Sequence, residues 1–417
     1  MGKPKILFLC HFSTAYYRAR LNLMDFRVRT FIFKLLGRNT AYYQDFAIWV
    51  SDYIEEFEKH LEYEFHIVSP HAGMKRRFVH FEQNGIFFHF FKCTHNLIYS
   101  KVHSLFHLDE KNNYKQNREK IKELVAEINP DLVILCGAEN PYYSLGVLDV
   151  KCKPIYVILQ TLLNDPKRIA AKIASPYRIK MEAEIFKYAQ FFCTDGKQEQ
   201  EFITKCNKKA IFLPAGFPTH RPTVVIPKKK EFDFVFFARE VVKNKGIEDV
   251  LKALALVKEK MPKVRLNVIG GLLPEYKQYL MNILQEKGAV DNVNFAGFYT
   301  DLQDTYNEVV RAKVVVVPGI TAALNSTVRE SMVMGMPTVV YETVATPQIN
   351  KENQCLFVAK MGDVEDLSNQ MLLALFDSDL SVKIAKNGKA YANLYFSNEA
   401  IVNRLLDNCH RIIDMQI

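Results

Sequence analysis

The sequence predicts an α/β protein built from two doubly wound parallel sheets, and three observations predict it. Short apolar runs recur along the chain, each followed by a longer stretch of helical periodicity, the pattern of βαβ units whose strands are buried on both faces. The alternation occurs twice. Between the two sets lies THRPTVVIPKKK at 219–230, whose prolines restrict the chain and whose lysines keep it solvated, so it reads as a linker. The expected domains are 1–222 and 223–417, and 417 residues suffice for two full cores.

In the first half the apolar runs predict strands at 5–10, 65–70, 86–91, 131–136, 154–159, 191–194 and 211–214. Helical spacing predicts helices at 45–61, 115–128 and 175–188. The second half repeats the scheme, with strands at 234–238, 265–270, 293–297, 314–318, 338–341 and 355–358 and helices at 246–260, 274–287, 327–334 and 364–376. A last helix at 398–415 follows the second set and is expected to pack back on the first domain. Doubly wound sheets bind ligands beyond the carboxyl ends of their strands, so chemistry is sought in the loops there.

Composition narrows the function classes. With 49% apolar and 24% charged residues, the chain is of the ordinary globular kind, which excludes disordered and collagen-like proteins. A net charge of +9 favours anionic partners such as phosphates or an acidic bilayer surface. No nucleic-acid partner is expected, because no recognition motif accompanies the charge. The eight cysteines form no C-x-x-C pair, so no zinc site is expected, and several sit in apolar strand-like runs that suit buried, reduced thiols. The apolar stretch near the N-terminus is too short for a signal-peptide core, and no run approaches the roughly 18 apolar residues that span a bilayer. The expected location is cytoplasmic, with peripheral contact at the inner face of the cell membrane.

The most informative stretch is FDFVFFAREVVKNKGIEDVLKALALVKEK, a strand followed by a loop with Arg239, Lys243 and Lys245, then Gly246 opening an amphipathic helix. Cations at a strand's carboxyl end, beside a helix N-terminus, suit a phosphate or diphosphate, although loop lysines are also commonly just solvated. A second stretch, AKVVVVPGITAALNSTVRESMVMGMPTVV, holds a strand, a small-residue loop and a helix starting near Ser326 and Thr327. There Asn325, Ser326 and Thr327 offer backbone N–H groups to an anion. Glu330 has two readings. It is placed to accept from vicinal hydroxyls of a ribose, and Thr327-Val-Arg-Glu330 also fits a capping box in which Glu330 closes on its own helix start.

These residues carry a resemblance. FVFFAREVVKNKGIEDVLKAL, VRLNVIGG, VNFAGF, AKVVVVPG and TVRESMVMGMPTVV resemble the donor-binding half of retaining GT-B glycosyltransferases, specifically glycosyltransferase family 4 of the bacterial surface-polysaccharide type. DFAIWVSDYIEEFEKHLEYEFHIVSP, INPDLVILCG and IFLPAGFP resemble elements of the family's first half. The resemblance implies a GT-B fold of two Rossmann-like domains facing a central cleft. It implies Arg239 and Lys245 on the donor diphosphate, Glu330 on the nucleotide ribose, and backbone contacts near Ser326 and Thr327. It also implies a nucleotide-diphosphate sugar as co-substrate and no metal or other cofactor. The acceptor it implies is a saccharide or lipid-linked sugar in surface polysaccharide or glycolipid synthesis. The departures are local. The family usually has two glutamates in the second stretch, and the earlier position here is Ala322; after the next strand the chain reads Val344-Ala345-Thr346-Pro347-Gln348 where glycines and a glutamate are usual.

Transfer from a diphosphate builds negative charge on the leaving group, which Arg239 and Lys245 would stabilise. No DxD-like triplet lies at a strand end to hold a metal instead. Two alternatives remain: an epimerase or hydrolase of the same fold, and a non-catalytic nucleotide-sugar-binding module, for which the loss at Ala322 is the motive.

On the acceptor side, the segment 16–43 carries Arg18, Arg20, Arg27, Arg29, Lys34 and Arg38 against the single acid Asp25, interleaved with aromatic residues. It reads as an acceptor lid or a bilayer-facing surface, against the plain alternative of solvated arginines. Lys75, Arg76 and Arg77, near His71 and His80, extend the same charge. His11 after the first strand, and Glu139 and Asn140 after the strand at 131–136, face the cleft by topology, although such a histidine is often structural and Asn140-Pro141 is also a turn signal. Gly216 in PAGFP is expected near the hinge, with donor contact secondary.

Overall fold

The computed structural model describes residues 2–23, 46–93, 108–170, 172, 174–219, 221–319, 325–343 and 345–415. Two compact units result: Met1–Pro218 together with Asn398–Ile417, and Thr219–Ser397. The division falls after Pro218, four residues before the expected boundary at 222, and the helix Asn398–Asp414 is part of the first unit. Burial decides this allegiance, because its apolar stripe of Ile401, Val402, Leu405, Leu406, Cys409 and Ile412 lies in the first unit's core.

The first unit's strands are β1 (Lys5–Leu9), β2 (Glu64–Pro70), β3 (Phe78–Gln83), β4 (Ile86–Phe91), β5 (Leu132–Cys136), β6 (Ile155–Ile158), β7 (Phe191–Cys193) and β8 (Ile211–Phe212). They form one sheet in the order β3-β4-β2-β1-β5-β6-β7-β8. Alternation explains its burial. Ile6 and Phe8 point into the core under the helices Ile48–Phe57 and Asn398–Asp414, while Leu7 and Leu9 point into a second core under Lys115–Ile128 and Pro176–Tyr188. A strand apolar on both faces is the signature of a covered parallel sheet. One strand departs from the expected all-parallel sheet: β3 pairs antiparallel with β4. The turn between them, Asn84-Gly85, has φ of 51° and 78°, the left-handed pair that a two-residue hairpin requires. Its sequence, FVHFEQ, mixes polar and apolar residues, which is why a search for continuous apolar runs passes over it.

The second unit's strands are β9 (Phe232–Glu240), β10 (Leu266–Gly271), β11 (Val293–Gly297), β12 (Ala312–Val316), β13 (Thr338–Tyr341) and β14 (Phe357–Ala359). Their order is β11-β10-β9-β12-β13-β14, all parallel. Phe234 and Phe236 face the core under the helices Ile247–Lys260 and Val364–Phe376; Val235 and Phe237 face the core under Leu302–Val309 and Ser326–Met334. The unanticipated helices of eight or more residues, Lys197–Cys206, Leu302–Val309 and Ser378–Tyr395, each bury four side chains or fewer.

Strand order reverses once in each sheet, between β1 and β5 and between β9 and β12. Loops leaving neighbouring strands in opposite directions open a crevice at their carboxyl ends, and that is where such sheets take ligands. Among the described residues, no helix is long and apolar enough to cross a membrane.

Candidate functional site

In the second unit, β9 runs on through Arg239 and Glu240, both exposed, before a turn at Lys243–Lys245 leads into the helix Ile247–Lys260. Gly246 makes the junction in the left-handed region, at φ 84°, where a side chain is strained. A Cβ there would also collide with the Pro318 carbonyl. The loop after β9 and the loop after β12 therefore touch, and only glycine allows it.

Lys245 is half-buried at this junction. Burial pulls its ammonium below the ordinary lysine range, and the nearby carboxylates Glu330 and Glu240 oppose that pull. The sequence-predicted pair Lys245 and Glu330, 85 positions apart in the chain, thus lie within electrostatic reach across the β9/β12 switch point. Lys243 points elsewhere, exposed and 3.9 Å from Glu248.

The Ser326–Met334 helix starts one residue before Thr327. Its cap is Asn325, whose Oδ1 accepts from the Val328 N–H at 3.1 Å. Thr327 lies inside the first turn and is buried, so the expected Thr327–Glu330 capping box does not close this helix. Met332 and Met334 on the same helix are core residues. Ala322 and Val344 fall outside the described residues, so the departures noted there carry no geometry.

In the first unit, His11 follows β1 and packs against Phe46, Tyr142 and Tyr143, with ring centroids 4.3, 4.9 and 6.0 Å away. Glu139 follows β5 and is buried, with its carboxyl seated over Gly137 (φ 88°): a Cβ on Gly137 would meet both Glu139 oxygens at 2.8 Å. Loss of solvent raises the Glu139 carboxyl to about 7, the Glu182 charge adding to the rise and Arg178 and Arg168 opposing it. Arg178 donates to the Glu139 carbonyl at 3.0 and 2.8 Å and to Asn140 Oδ1 at 3.1 Å, fixing this turn.

The other predicted acceptor residues sit on different neighbours. Arg18 donates to Ser13 Oγ at 2.9 Å, and its charge joins burial in pushing His71 down to about 4. Arg20 lies 5.2 Å over the Phe81 ring on the β3 edge. Residues 24–45, with Arg27, Arg29, Lys34 and Arg38, fall outside the described residues. Gly216, at φ 93°, packs toward Ile401, and its carbonyl accepts from Tyr53 at 2.9 Å, so its visible role is to seat the segment against the last helix.

Sequence reasoning missed Trp49, Gln160, Arg178 and Glu182. With its amide oriented to satisfy both ends, Gln160 donates to Glu139 Oε1 at 2.6 Å and accepts from Trp49 Nε1 at 3.0 Å. Glu182 accepts from the backbone N–H groups of Leu163 and Asn164 at 2.9 and 3.0 Å, pinning the loop after β6. The one available signal was the single tryptophan of the chain, in the helix beside the first strand. Among the described residues, no group of three or more His, Cys, Asp or Glu is placed to hold a metal ion.

Two doubly wound units of this topology constitute the GT-B fold. Residues 221–391, all in the second unit, match the family model described as Glycosyl transferases group 1. Sucrose-phosphate synthase from Thermosynechococcus elongatus superposes with a TM-score of 0.69 at 15% identity, over 99% of this chain and all of that one (100%). HepE from Anabaena, solved with UDP and glucose, superposes with a TM-score of 0.62 at 14% identity, over 98% of this chain and 100% of its own. Among curated proteins, EpsD of Bacillus subtilis (strain 168), whose name assigns it to the glycosyltransferases, is 26% identical over 187 residues, 45% of this chain. The chain spans about half the length of that relative, 48%.

Proposed function

We propose that this chain is a glycosyltransferase that moves a sugar from a nucleotide-diphosphate sugar to a saccharide or lipid-linked acceptor, in the assembly of a surface polysaccharide or glycolipid. The observation that carries the reading is the meeting of Lys245 and Glu330 at the β9/β12 switch point, inside the region that matches a glycosyltransferase family model. Arg239 and Lys245 are assigned to the donor diphosphate, Glu330 to the ribose, and the backbone at Asn325, Ser326 and Thr327 to the phosphates. HepE, solved with UDP and glucose, makes uridine nucleotides the first probes.

The chemistry follows from charge. The bond between the anomeric carbon and the diphosphate oxygen breaks, and the diphosphate leaves with the electron pair. A fixed ammonium and guanidinium placed for that charge lower the barrier without reorganising. In the retaining course that the family resemblance supports, the acceptor oxygen bonds the same face of the sugar, and its proton passes to the leaving phosphate. No side chain is assigned as base and no metal takes part. Peripheral contact with an anionic membrane belongs to the same proposal, supported by Arg20, Lys75, Arg76 and Arg77, all exposed.

A second reading, a nucleotide-sugar-binding module without turnover, is motivated by Ala322. One experiment separates them. The full chain is titrated calorimetrically with UDP, GDP and ADP and their glucose esters, then assayed for sugar transfer with mixed saccharide acceptors. Binding with transfer supports the proposal. Binding with no turnover, in both the native chain and Ala322→Glu, favours the module; free sugar or an epimer in place of transfer favours a hydrolase or epimerase. Absence of any nucleotide binding overturns all of these.

A further inference from the structure

The loops after β5 and β6 are tied together by one buried acid. Glu139 Oε1 receives the Gln160 amide from the loop after β6 at 2.6 Å and the Asn140 amide from its own loop at 3.2 Å. Its other oxygen, Oε2, is buried and has no hydrogen-bond partner. A buried carboxyl with an unpaired oxygen is costly, so its retention there calls for a reason.

The neighbourhood supplies one. The helix Pro176–Tyr188 grips both loops from behind, Arg178 on Glu139 and Asn140, and Glu182, one turn later, on Leu163 and Asn164. The Arg178 guanidinium is spent on this grip. Toward solvent stand the exposed Gln160 amide, against the half-buried Trp49, and the half-buried Asn140 amide, on the loop whose Tyr142 packs on His11. Amides beside aromatic faces suit a ligand that is polyhydroxylated on its rim and apolar on its face.

We propose that Glu139 is a positioning residue that locks these two loops and so fixes the Gln160 and Asn140 amides as the recognition groups of a subsite for an uncharged sugar ring. The inference rests on the reading of this chain as a glycosyltransferase whose acceptor side is the first unit, and names the acceptor's class. In its protonated form Glu139 holds the Gln160 amide without placing a negative charge behind the subsite. The groups that face it are Glu182 and Arg178 on the helix Pro176–Tyr188, Arg168 on Pro166–Ala170, and the neutral Tyr143 and Cys136. Burial raises its carboxyl to about 7; ionisation above that pH tightens the amide bonds it accepts and sets a negative charge behind the subsite.

The test uses the full chain and a panel of methyl glycosides of glucose, galactose, mannose and N-acetylglucosamine, with glucuronate as the charged comparator, in saturation-transfer NMR. Calorimetry with nucleoside diphosphates runs alongside as a probe of the second unit. At least one methyl glycoside is expected to bind, and more tightly than glucuronate. Glu139→Ala should weaken it by about tenfold, the scale of one hydrogen bond lost between neutral groups, with nucleotide affinity unchanged. Glu139→Gln, which keeps the acceptor oxygen and cannot ionise, should retain binding. It should also abolish the further weakening of glucuronate expected of the native chain as pH rises through about 7, where ionised Glu139 stands as a like charge behind the subsite. No glycoside binding alongside normal nucleotide binding overturns the subsite and leaves the donor reading intact. Glycoside binding without nucleotide binding does the reverse. Equal affinity in Glu139→Ala, or a pH profile that persists in Glu139→Gln, removes Glu139 from the role.

Discussion

Lys245 and Glu330 share a neighbourhood because glycine at 246 lets one loop lie against the carbonyl of another. If that neighbourhood grips a diphosphate, Lys245→Ala and Arg239→Ala should each weaken nucleoside diphosphate binding by about 1.5–3 kcal/mol, the scale for hydrogen bonds to charged groups. Calorimetry checks this, and unchanged affinity in both variants would remove the diphosphate assignment. The helix start offers a sharper division of labour. Asn325→Ala, which deletes the cap seen at 3.1 Å, should lower thermal stability by about 1 kcal/mol. Glu330→Gln should leave the melting temperature near that of the native chain while weakening nucleotide-sugar binding. A fall in stability with affinity preserved would return Glu330 to a structural role. At this scale the sequence was legible where a motif is contiguous, as in the Arg239–Gly246 loop. The Thr327–Glu330 spacing pointed to the wrong cap, because Asn325, one position outside the helix, accepts from the Val328 N–H instead. The Glu139–Gln160–Trp49 network was invisible, since its members meet only when three separate elements fold.

Among the elements, the edge of the first sheet holds a row of histidines. His66 on β2 and His89 on β4 share a hydrogen bond of 3.0 Å, His80 on β3 lies 4.7 Å from His89 between ring centroids, and Glu64 Oε1 accepts from His66 Nε2 at 2.9 Å. Burial drives His89 down to about 3, helped by the charges of His66, His80 and Lys120, and it lowers His66 despite Glu64. A histidine held neutral in the fold adds stability that is complete above its unfolded value of 6.5. That stability drains away as pH falls from there toward 3. Amides of β3 and β4 should therefore lose hydrogen-exchange protection at about pH 5 relative to neutrality, after correction for intrinsic rates, and His89→Gln should flatten the change. Equal protection at both pH values would show that the row does not hold this edge. Apolar runs located the strands on either side, yet β3 escaped because an edge strand with one wet face alternates, and only Asn84-Gly85 marked it.

For the whole molecule, the two-unit plan was readable from the repeated alternation and the proline-bearing stretch, and the last helix was expected on the first domain, although its own residues name no partner. An amphipathic stripe says that a helix packs, and the partner is chosen by which core leaves a face open; here that is the first unit's. Expressed alone, residues 219–397 should therefore fold cooperatively and retain nucleotide binding, whereas residues 1–397 should expose the face that Leu405, Leu406 and Cys409 cover, and aggregate or bind a hydrophobic dye. A monomeric, cooperatively melting 1–397 fragment would contradict this assignment.

The allegiance of that final helix also orders events at the ribosome. Everything from Thr219 to Ser397 is synthesised before the first unit receives its closing piece, so the second unit has all of its own chain while the first still waits, its apolar flank open. Chains released after Ser397 should thus bring chaperones to the half made earlier, and protease should spare the half made later.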